Sequence, residues 1–475
     1  MEAWFVMIVT AFIAAVLKAL ILSKSKSSIP PGPRGFPIIS RIQWVRKPST
    51  EMEVVLRRLC SKFGPIVTIP TGRFPFIYIS SRSLAYQALV HNGAVFADRP
   101  KPLPTSKLMA SNQHSITSAS YGPNWRLFRR NLTAQILHPS KAKYFCDARK
   151  WALEILINRL TVDHGNTVKV MDHFRFAMFC LLVFMCFGDK LDEFQIKEIE
   201  AIQHQSLTSI KYFSILNVWP WLTRILLHSR WNELFELRKK QEDLLIPKIR
   251  ARQEEDTRIP DDQIHDSSRL VTCYVDSLLT LEIPEIDSKR KLTEEQLVSF
   301  CSEFLNAGTD TTSTALQWIM ANLVKYPEIQ AKLYGEIKEV VGKQAAEVAE
   351  DELSKMPYLK ALVLEGLRRH PPGHFVIPHT VTHETELGGY TIPKNAIINF
   401  MVADINLNPE VWENPMQFKP ERFLTTEGSY EEFDLTGSRE IKMMPFGAGR
   451  RICPGLSLAI LHKEVLRTSY EFHFN

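Results

Sequence analysis

The balance of apolar and polar positions changes character along the chain. Residues 3 to 22 are nearly all apolar, interrupted only by Thr10 and Lys18, and such a run in a helix spans about 30 Å, the thickness of the hydrocarbon layer of a bilayer. The pattern predicts a transmembrane anchor over residues 1–22, with Lys18 near enough to its end to snorkel. No basic stretch precedes the run, and Lys24, Lys26 and Arg34 follow it. It therefore reads as an anchor rather than a cleaved signal, with the body on the cytosolic side. Residues 23–35 form a polar, Pro-rich hinge ending in Ile29-Pro-Pro-Gly-Pro33, whose fixed φ angles make a stiff strap. The remainder, 36–475, shows no repeat and no second composition regime, and is read as one domain.

Within that domain, Pro65-Ile-Val-Thr-Ile69 and Phe74-Pro-Phe-Ile-Tyr-Ile79 predict short strands. From about Tyr121 to Pro371 the spacing is mainly helical. Arg252 to Arg269, charged and poor in apolar residues, predicts an internal loop. The longest helix starts at Thr293, where Thr-Glu-Glu-Gln forms a capping box, and runs until Pro327, about 48 Å. Its middle reads Ala307-Gly-Thr-Asp-Thr-Thr312. Glycine and β-branched threonine are poor helix formers, and a buried aspartate is costly without partners. Local sequence that opposes its own helix marks a functional site; a kink with an exposed polar patch is the plainer alternative. A second helix around Pro357 to Arg369 carries Glu365 and Arg368 three apart on one face. Most such pairs are weak surface pairs, but Arg422 in the Pro-rich stretch near Trp412 offers a third member for a buried charged lock.

Composition narrows the classes. The 475 residues are 45% hydrophobic and 23% charged, a globular balance with a large core. A net charge of +6 without a concentrated basic stripe argues against nucleic acid and is compatible with an acidic protein partner or a membrane surface. The seven cysteines are scattered and form no Cys-x-x-Cys pair, which speaks against a disulfide framework or a structural zinc site and suits a reducing compartment. One cysteine stands apart, in Phe446-x-x-Gly449-x-Arg451-x-Cys453-x-Gly455. Its glycines let backbone amides approach the sulfur and are expected to lower its pKa. Arg451 adds positive charge suited to an acidic cofactor edge. Gly447-x-Gly449 lacks the third glycine, preceding strand and following acid of a dinucleotide loop. With no second Cys or His at zinc spacing, a single-thiolate metal site of the haem-thiolate kind is the better fit.

Tyr121-Gly-x-x-Trp125-Arg-x-x-Arg129, Ala307 to Thr312, Glu365-x-x-Arg368 with Arg422, and the Cys453 motif occur in the order of one family. From Pro30 to about Leu461 the chain resembles plant cytochrome P-450 monooxygenases of the microsomal A-type, family 89, subfamily A. The resemblance implies a mainly α fold with small β-sheets, a helical haem domain behind an N-terminal transmembrane helix. It implies heme b (iron-protoporphyrin IX) with Cys453 as the axial ligand, flanked by Phe446 and Gly455. Trp125, Arg129, Arg451 and His379 would face the haem propionates. Asp310 and Thr311 resemble the acid-alcohol pair that supports dioxygen binding and proton delivery, and Glu365, Arg368 and Arg422 the structural triad.

The implied activity is insertion of one oxygen atom from dioxygen into a lipophilic small metabolite. Electrons would come from NADPH through a membrane-bound NADPH-cytochrome reductase whose acidic face meets Arg130, Lys442 and Arg450. The implied location is the endoplasmic reticulum membrane, with a pocket lined from 101–120, 207–222, 301–309 and 375–377. Two features depart from the family. Asn406-Leu-Asn-Pro replaces a Gly-Arg-Asp-Pro type of sequence and is read as altering only a turn. After His462 the family pattern stops short, which predicts an incomplete C-terminal end and low turnover. Two alternatives stay open: a haem-thiolate isomerase or dehydratase, against which the intact Asp310–Thr311 pair argues, and a truncated, non-catalytic haem-binding membrane protein.

Overall fold

In the computed structural model of the chain, the described residues are 29–33, 49–70, 74–162, 168–258, 272–284, 288–342, 348–430 and 432–474. The expected anchor over 1–22 lies outside them. Helix α1 (Ser49–Phe63) leads into strands β1 (Ile66–Ile69) and β2 (Phe76–Ile79), where short strands were expected. Helices α2 (Pro123–Leu132), α3 (Cys146–Val162), α4 (Val170–Phe187), α5 (Glu193–Thr208) and α6 (His228–Arg258) follow, then α7 (Glu294–Lys325), α8 (Pro327–Val341) and α9 (Pro357–Arg369). Strands β3 (His379–Thr380) and β4 (Ile397–Phe400) precede the last helix, α10 (Leu456–Phe474). The fold is mainly α with small sheets, as the sequence led us to expect.

The main sheet has the order β1-β2-β4-β3, with β2 and β4 parallel and the outer pairs antiparallel. The strap seen in the sequence docks on its edge. Thr68 N–H donates to Pro31 O at 2.8 Å, and a Cβ on Gly32 would come within 1.8 Å of Thr68 O. Only glycine lets the Pro-rich strand lie that close.

The core is built on α4 and α7. Helix α4 is the one helix among the described residues apolar and long enough to cross a bilayer, yet 67% of it is buried inside the domain. It is a core helix. Gly308 explains part of the odd sequence in the middle of α7: a Cβ there would lie 2.8 Å from Leu182 Cδ1 of α4. The glycine lets the two axes approach, and the packing gained offsets a helix penalty of about 1 kcal/mol. The neighbouring hydroxyls are satisfied within the helix, Thr309 Oγ1 on Leu305 O at 2.7 Å, Thr311 Oγ1 on Ala307 O at 2.8 Å and Ser313 Oγ on Thr309 O at 2.8 Å. Helix α7 is thus continuous through the motif. Its N-terminus is the expected capping box, with Thr293 N–H on Gln296 Oε1 at 3.1 Å and Gln296 N–H on Thr293 Oγ1 at 3.4 Å.

One expectation fails over its first residues. The loop anticipated from Arg252 to Arg269 begins as helix, since α6 continues to Arg258, and 259–269 lie outside the described residues. Arg252 is 8% exposed and grips Asp276 with two hydrogen bonds, 2.7 and 3.0 Å. A tertiary ion pair, invisible to local hydropathy, holds the last turns of that helix.

Candidate active site

The loop before α10 is shaped by glycines in the left-handed region, Gly447 at φ +72° and Gly449 at φ +69°. A Cβ on Gly449 would meet Leu89 O at 2.0 Å, so no other residue fits there. The loop closes when Cys453 N–H donates to Phe446 O at 2.9 Å. Gly455 lies against the sulfur, its missing Cβ 4.0 Å from Cys453 Sγ. The glycines were expected to lower the thiol pKa. Instead burial raises it above the ordinary value, outweighing the Gly455 amide, Arg129 and Lys463, which all act to lower it. Desolvation of the anion dominates until a cation or metal sits on the sulfur.

Around this loop the structure gathers Trp125, Arg129 and Arg451. Trp125 is 5% exposed, with Arg451 4.4 Å and Arg129 5.7 Å from its ring centroid. Arg451 donates only to backbone carbonyls: Nε to Ala97 O at 2.7 Å, Nη1 to Ile116 O at 3.1 Å, Nη2 to Ala119 O at 2.6 Å. Trp125 Nε1 shares Ile116 O at 3.1 Å. Arg99, which sequence reasoning missed, donates to Thr117 O, Ile377 O and Pro378 O at 2.7, 2.7 and 2.8 Å. None of the three arginines makes a direct ion pair among the described residues. Burial accordingly lowers all their pKa values, Arg451 to about 9 with Arg99 adding like-charge repulsion, and Arg99 to about 10.

His379 belongs to the same cluster, but its Nδ1 lies 2.7 Å from Phe96 O, which fixes the proton on that nitrogen because a carbonyl only accepts. Burial, then Arg99, then Arg451 hold its pKa down to about 3. The imidazole is neutral, with the other ring nitrogen an acceptor. To donate to a carboxylate it would need a second proton, which only a nearby negative charge would favour.

Glu303 is the second residue that the sequence did not single out. It projects from α7 and accepts Ile116 N–H at 2.7 Å, Thr117 N–H at 2.6 Å and the Thr117 hydroxyl. Burial raises its pKa despite these bonds. It pins the turn whose carbonyls hold Trp125, Arg451 and Arg99. The one available signal was a carboxylate between Cys301 and Phe304 on an otherwise apolar stretch.

On α7, Asp310 is half-buried and Thr311 exposed. Ala307 and Thr311, one turn apart, are the open positions where Leu305, Thr309, Thr312 and Ser313 are buried. The expected pocket segment 207–222 behaves differently from expectation at several positions: Ile210, Trp219 and Trp221 are 65%, 44% and 70% exposed. Ile210 and Trp221 lie on the short helices Ile210–Phe213 and Pro220–Leu226, and Trp219 just before the second; all three side chains face outward.

The triad assembles below. Glu365 and Arg368 are each 0% exposed and pair through two hydrogen bonds, 2.6 and 2.8 Å. Arg422 Nε stands 3.7 Å from Glu365 Oε1, with its Nη2 on Asn414 O at 2.9 Å. Asn406, expected to alter only a turn, proves central. It is fully buried; its carbonyl accepts Arg368 Nη1 at 3.4 Å and its Oδ1 accepts Met444 N–H at 2.8 Å. It links the lock to the start of the cysteine loop.

One thiol and arginines without acid partners suit a planar cofactor that carries carboxylates and supplies the remaining metal ligands itself. The residues fit haem b. A family model described as Cytochrome P450 matches residues 30–470, and the chain belongs to that family. It is therefore a cytochrome P450 monooxygenase, and the family implies a haem cofactor. Among relatives, Cytochrome P450 89A9 of Arabidopsis thaliana is 49% identical over 469 residues, covering 96% of this chain and 89% of its own length. Cytochrome P450 71B8 of the same plant is 29% identical over 467 residues, covering 96% and 88%. A zebra fish cytochrome P450 structure with abiraterone superimposes with a TM-score of 0.70 at 24% identity, covering 88% of this chain and 90% of that one, which shows the fold.

Proposed function

We propose that this chain is a membrane-anchored haem-thiolate monooxygenase that inserts one atom of dioxygen into a lipophilic small metabolite. The observation that carries the reading is Cys453 set beside Arg129, Arg451 and Trp125, a donor set with no acid of its own. In this reading Cys453 would hold the haem iron, Phe446 and Gly455 would brace the sulfur, and Arg129, Arg451, Trp125 and His379 would receive the cofactor carboxylates. When bound, the haem supplies dioxygen activation, to which the thiolate contributes electron release. Thr311, open on α7, holds a hydroxyl that can exchange its bond to Ala307 O for one to water, and half-buried Asp310 can pass a proton to that water. Glu365, Arg368 and Arg422 keep the cysteine loop in register.

NADPH electrons arrive from a reductase whose acidic face suits Arg130, Lys442 and Arg450, all exposed. Residues 1–22 form the anchor, 23–35 the hinge and 36–475 the catalytic domain, at the cytosolic face of the endoplasmic reticulum. The outward Trp219, Trp221, Ile225 and Leu226, 44% to 72% exposed, support contact of the domain with the bilayer surface. The test is a reconstitution with a reductase in nanodiscs, screening lipophilic metabolites under isotopically labelled dioxygen. Product carrying one labelled atom is expected. Thr311→Ala should keep haem while diverting NADPH electrons to peroxide by about tenfold or more. Unchanged coupling in that variant, or label-free product, would refute the assignment.

A further inference from the structure

Lys463 is a buried charge for which the site above has no use. It is 2% exposed on α10. Its Nζ donates to Ala459 O at 3.0 Å, one turn back, and lies 5.7 Å from the centroid of the Phe446 ring. The Phe446 carbonyl in turn accepts the Cys453 amide at 2.9 Å. The ammonium thus stands behind the residue that braces the cysteine loop. No ion pair of Lys463 occurs among the described residues. Its flanking residues on α10, His462 and Glu464, are also buried, at 3% and 8% exposed. Burial holds His462 neutral, with a pKa of about 3, and pushes Glu464 up to about 7. The opposite charge acting on the lysine is Cys453.

An ammonium out of water is costly unless an opposite charge repays it. Burial brings Lys463 down to about 8, which leaves it mostly charged at neutral pH. A cation here acts on the sulfur with little solvent screening.

We propose that Lys463 is a positioning residue for electron transfer, its buried ammonium behind Phe446 stabilising the anionic Cys453 thiolate and so easing reduction of the haem iron it ligates. The inference rests on the haem-thiolate reading. The step it governs is a one-electron reduction: the iron passes from ferric to ferrous, the flavin reductase or dithionite loses the electron, and no bond forms or breaks. A positive charge near the metal lowers the energy of the state holding the extra electron. The same charge draws density from the thiolate, so easier reduction comes with a weaker electron release toward bound dioxygen.

Dithionite titration of the full chain in nanodiscs, followed by the haem absorption bands, tests this with Lys463→Met and Lys463→Arg. Lys463→Met is expected to retain haem and the thiolate-type band of the ferrous carbon monoxide complex. Its ferric/ferrous equilibrium should shift about tenfold toward ferric, which is ~59 mV for one electron. Lys463→Arg should stay near the wild type. A wild-type potential in Lys463→Met overturns the inference, as does an equal shift in Lys463→Arg, which would assign the effect to packing rather than charge. Should Lys463→Met fail to hold haem, the neutral Lys463→Gln takes its place, and an unchanged potential there overturns the inference equally. Absence of the thiolate-type band from the wild type would instead sink the haem-thiolate reading.

Discussion

The chain buries two sets of arginines in opposite ways. In the lock, Arg368 has its acid beside it and spends its remaining N–H groups on Pro415 O at 2.9 Å and Gln417 O at 3.2 Å, while Glu365 also accepts Lys419 N–H at 2.8 Å. Every strong donor and acceptor at its centre finds a partner on α9 or the 406–419 stretch. In the cradle, Arg99 and Arg451 donate to backbone carbonyls, Arg129 and Arg451 lie over the Trp125 ring, and burial depresses all three. The lock is complete by itself. The cradle holds positive charge at a cost in stability, which is what an anion-binding site costs before its ligand compensates it.

Removing the acid of the lock should do the most damage. Glu365→Ala leaves buried Arg368 uncompensated, and a loss of about 3 to 5 kcal/mol is expected, seen as little or no holoprotein and a collapsed thermal transition. Arg422→Ala removes a side chain only 9% exposed and 3.7 Å from Glu365, but Glu365 keeps its pair with Arg368, so the cost should be smaller, about 1 to 2 kcal/mol. Equal damage from both would mean that the lock is a symmetric triad rather than a pair with an auxiliary.

The cradle should respond the other way. Arg451→Met is expected to preserve folding, because a costly buried charge is removed, and to weaken haem retention by about 1.5 to 3 kcal/mol, the worth of a charge-assisted hydrogen bond. The rate of haem transfer to an acceptor globin measures it. Lost thermal stability with unaltered haem transfer would make Arg451 a member of a second lock.

The smallest expected effect is one of pH. His379 is held to about 3 by burial and by Arg99 and Arg451, whereas the unfolded chain titrates near ~6.5. Its contribution to stability is therefore present above that pH and is lost as pH falls from ~6.5 toward 3, at up to ~1.4 kcal/mol per unit. Arg451→Met removes one positive neighbour and should make the decline of unfolding free energy shallower between about pH 5 and 3, where the folded imidazole then begins to take up its proton. An identical slope would show that the cradle's charge does not reach the imidazole.

How far the sequence reached depended on the range of the forces involved. Helix α7 began and ended where Thr293, Gln296 and Pro327 said, and α9 ran from Pro357 to Arg369, because caps and proline stops act within a few residues. The glycines of the cysteine loop and the pairing of Glu365 with Arg368 were legible for the same reason. Glu303 was not, since its partners at Ile116 and Thr117 lie 187 and 186 positions away. Nor was Asn406, whose bonds to Leu367 and Met444 exist only once α9 and the cysteine loop meet, or the helical course of Arg252, secured by Asp276. The direction of the Cys453 shift was misjudged on that account: local amides pointed one way, and burial, a property of the whole fold, carried it the other. The sequence by itself determined where elements start, which side chains share a face and which motif bears the thiol. Only the tertiary structure decided which charges are paired and which are left exposed to each other in a low dielectric, because desolvation depends on everything that surrounds a group and not on its neighbours in the chain.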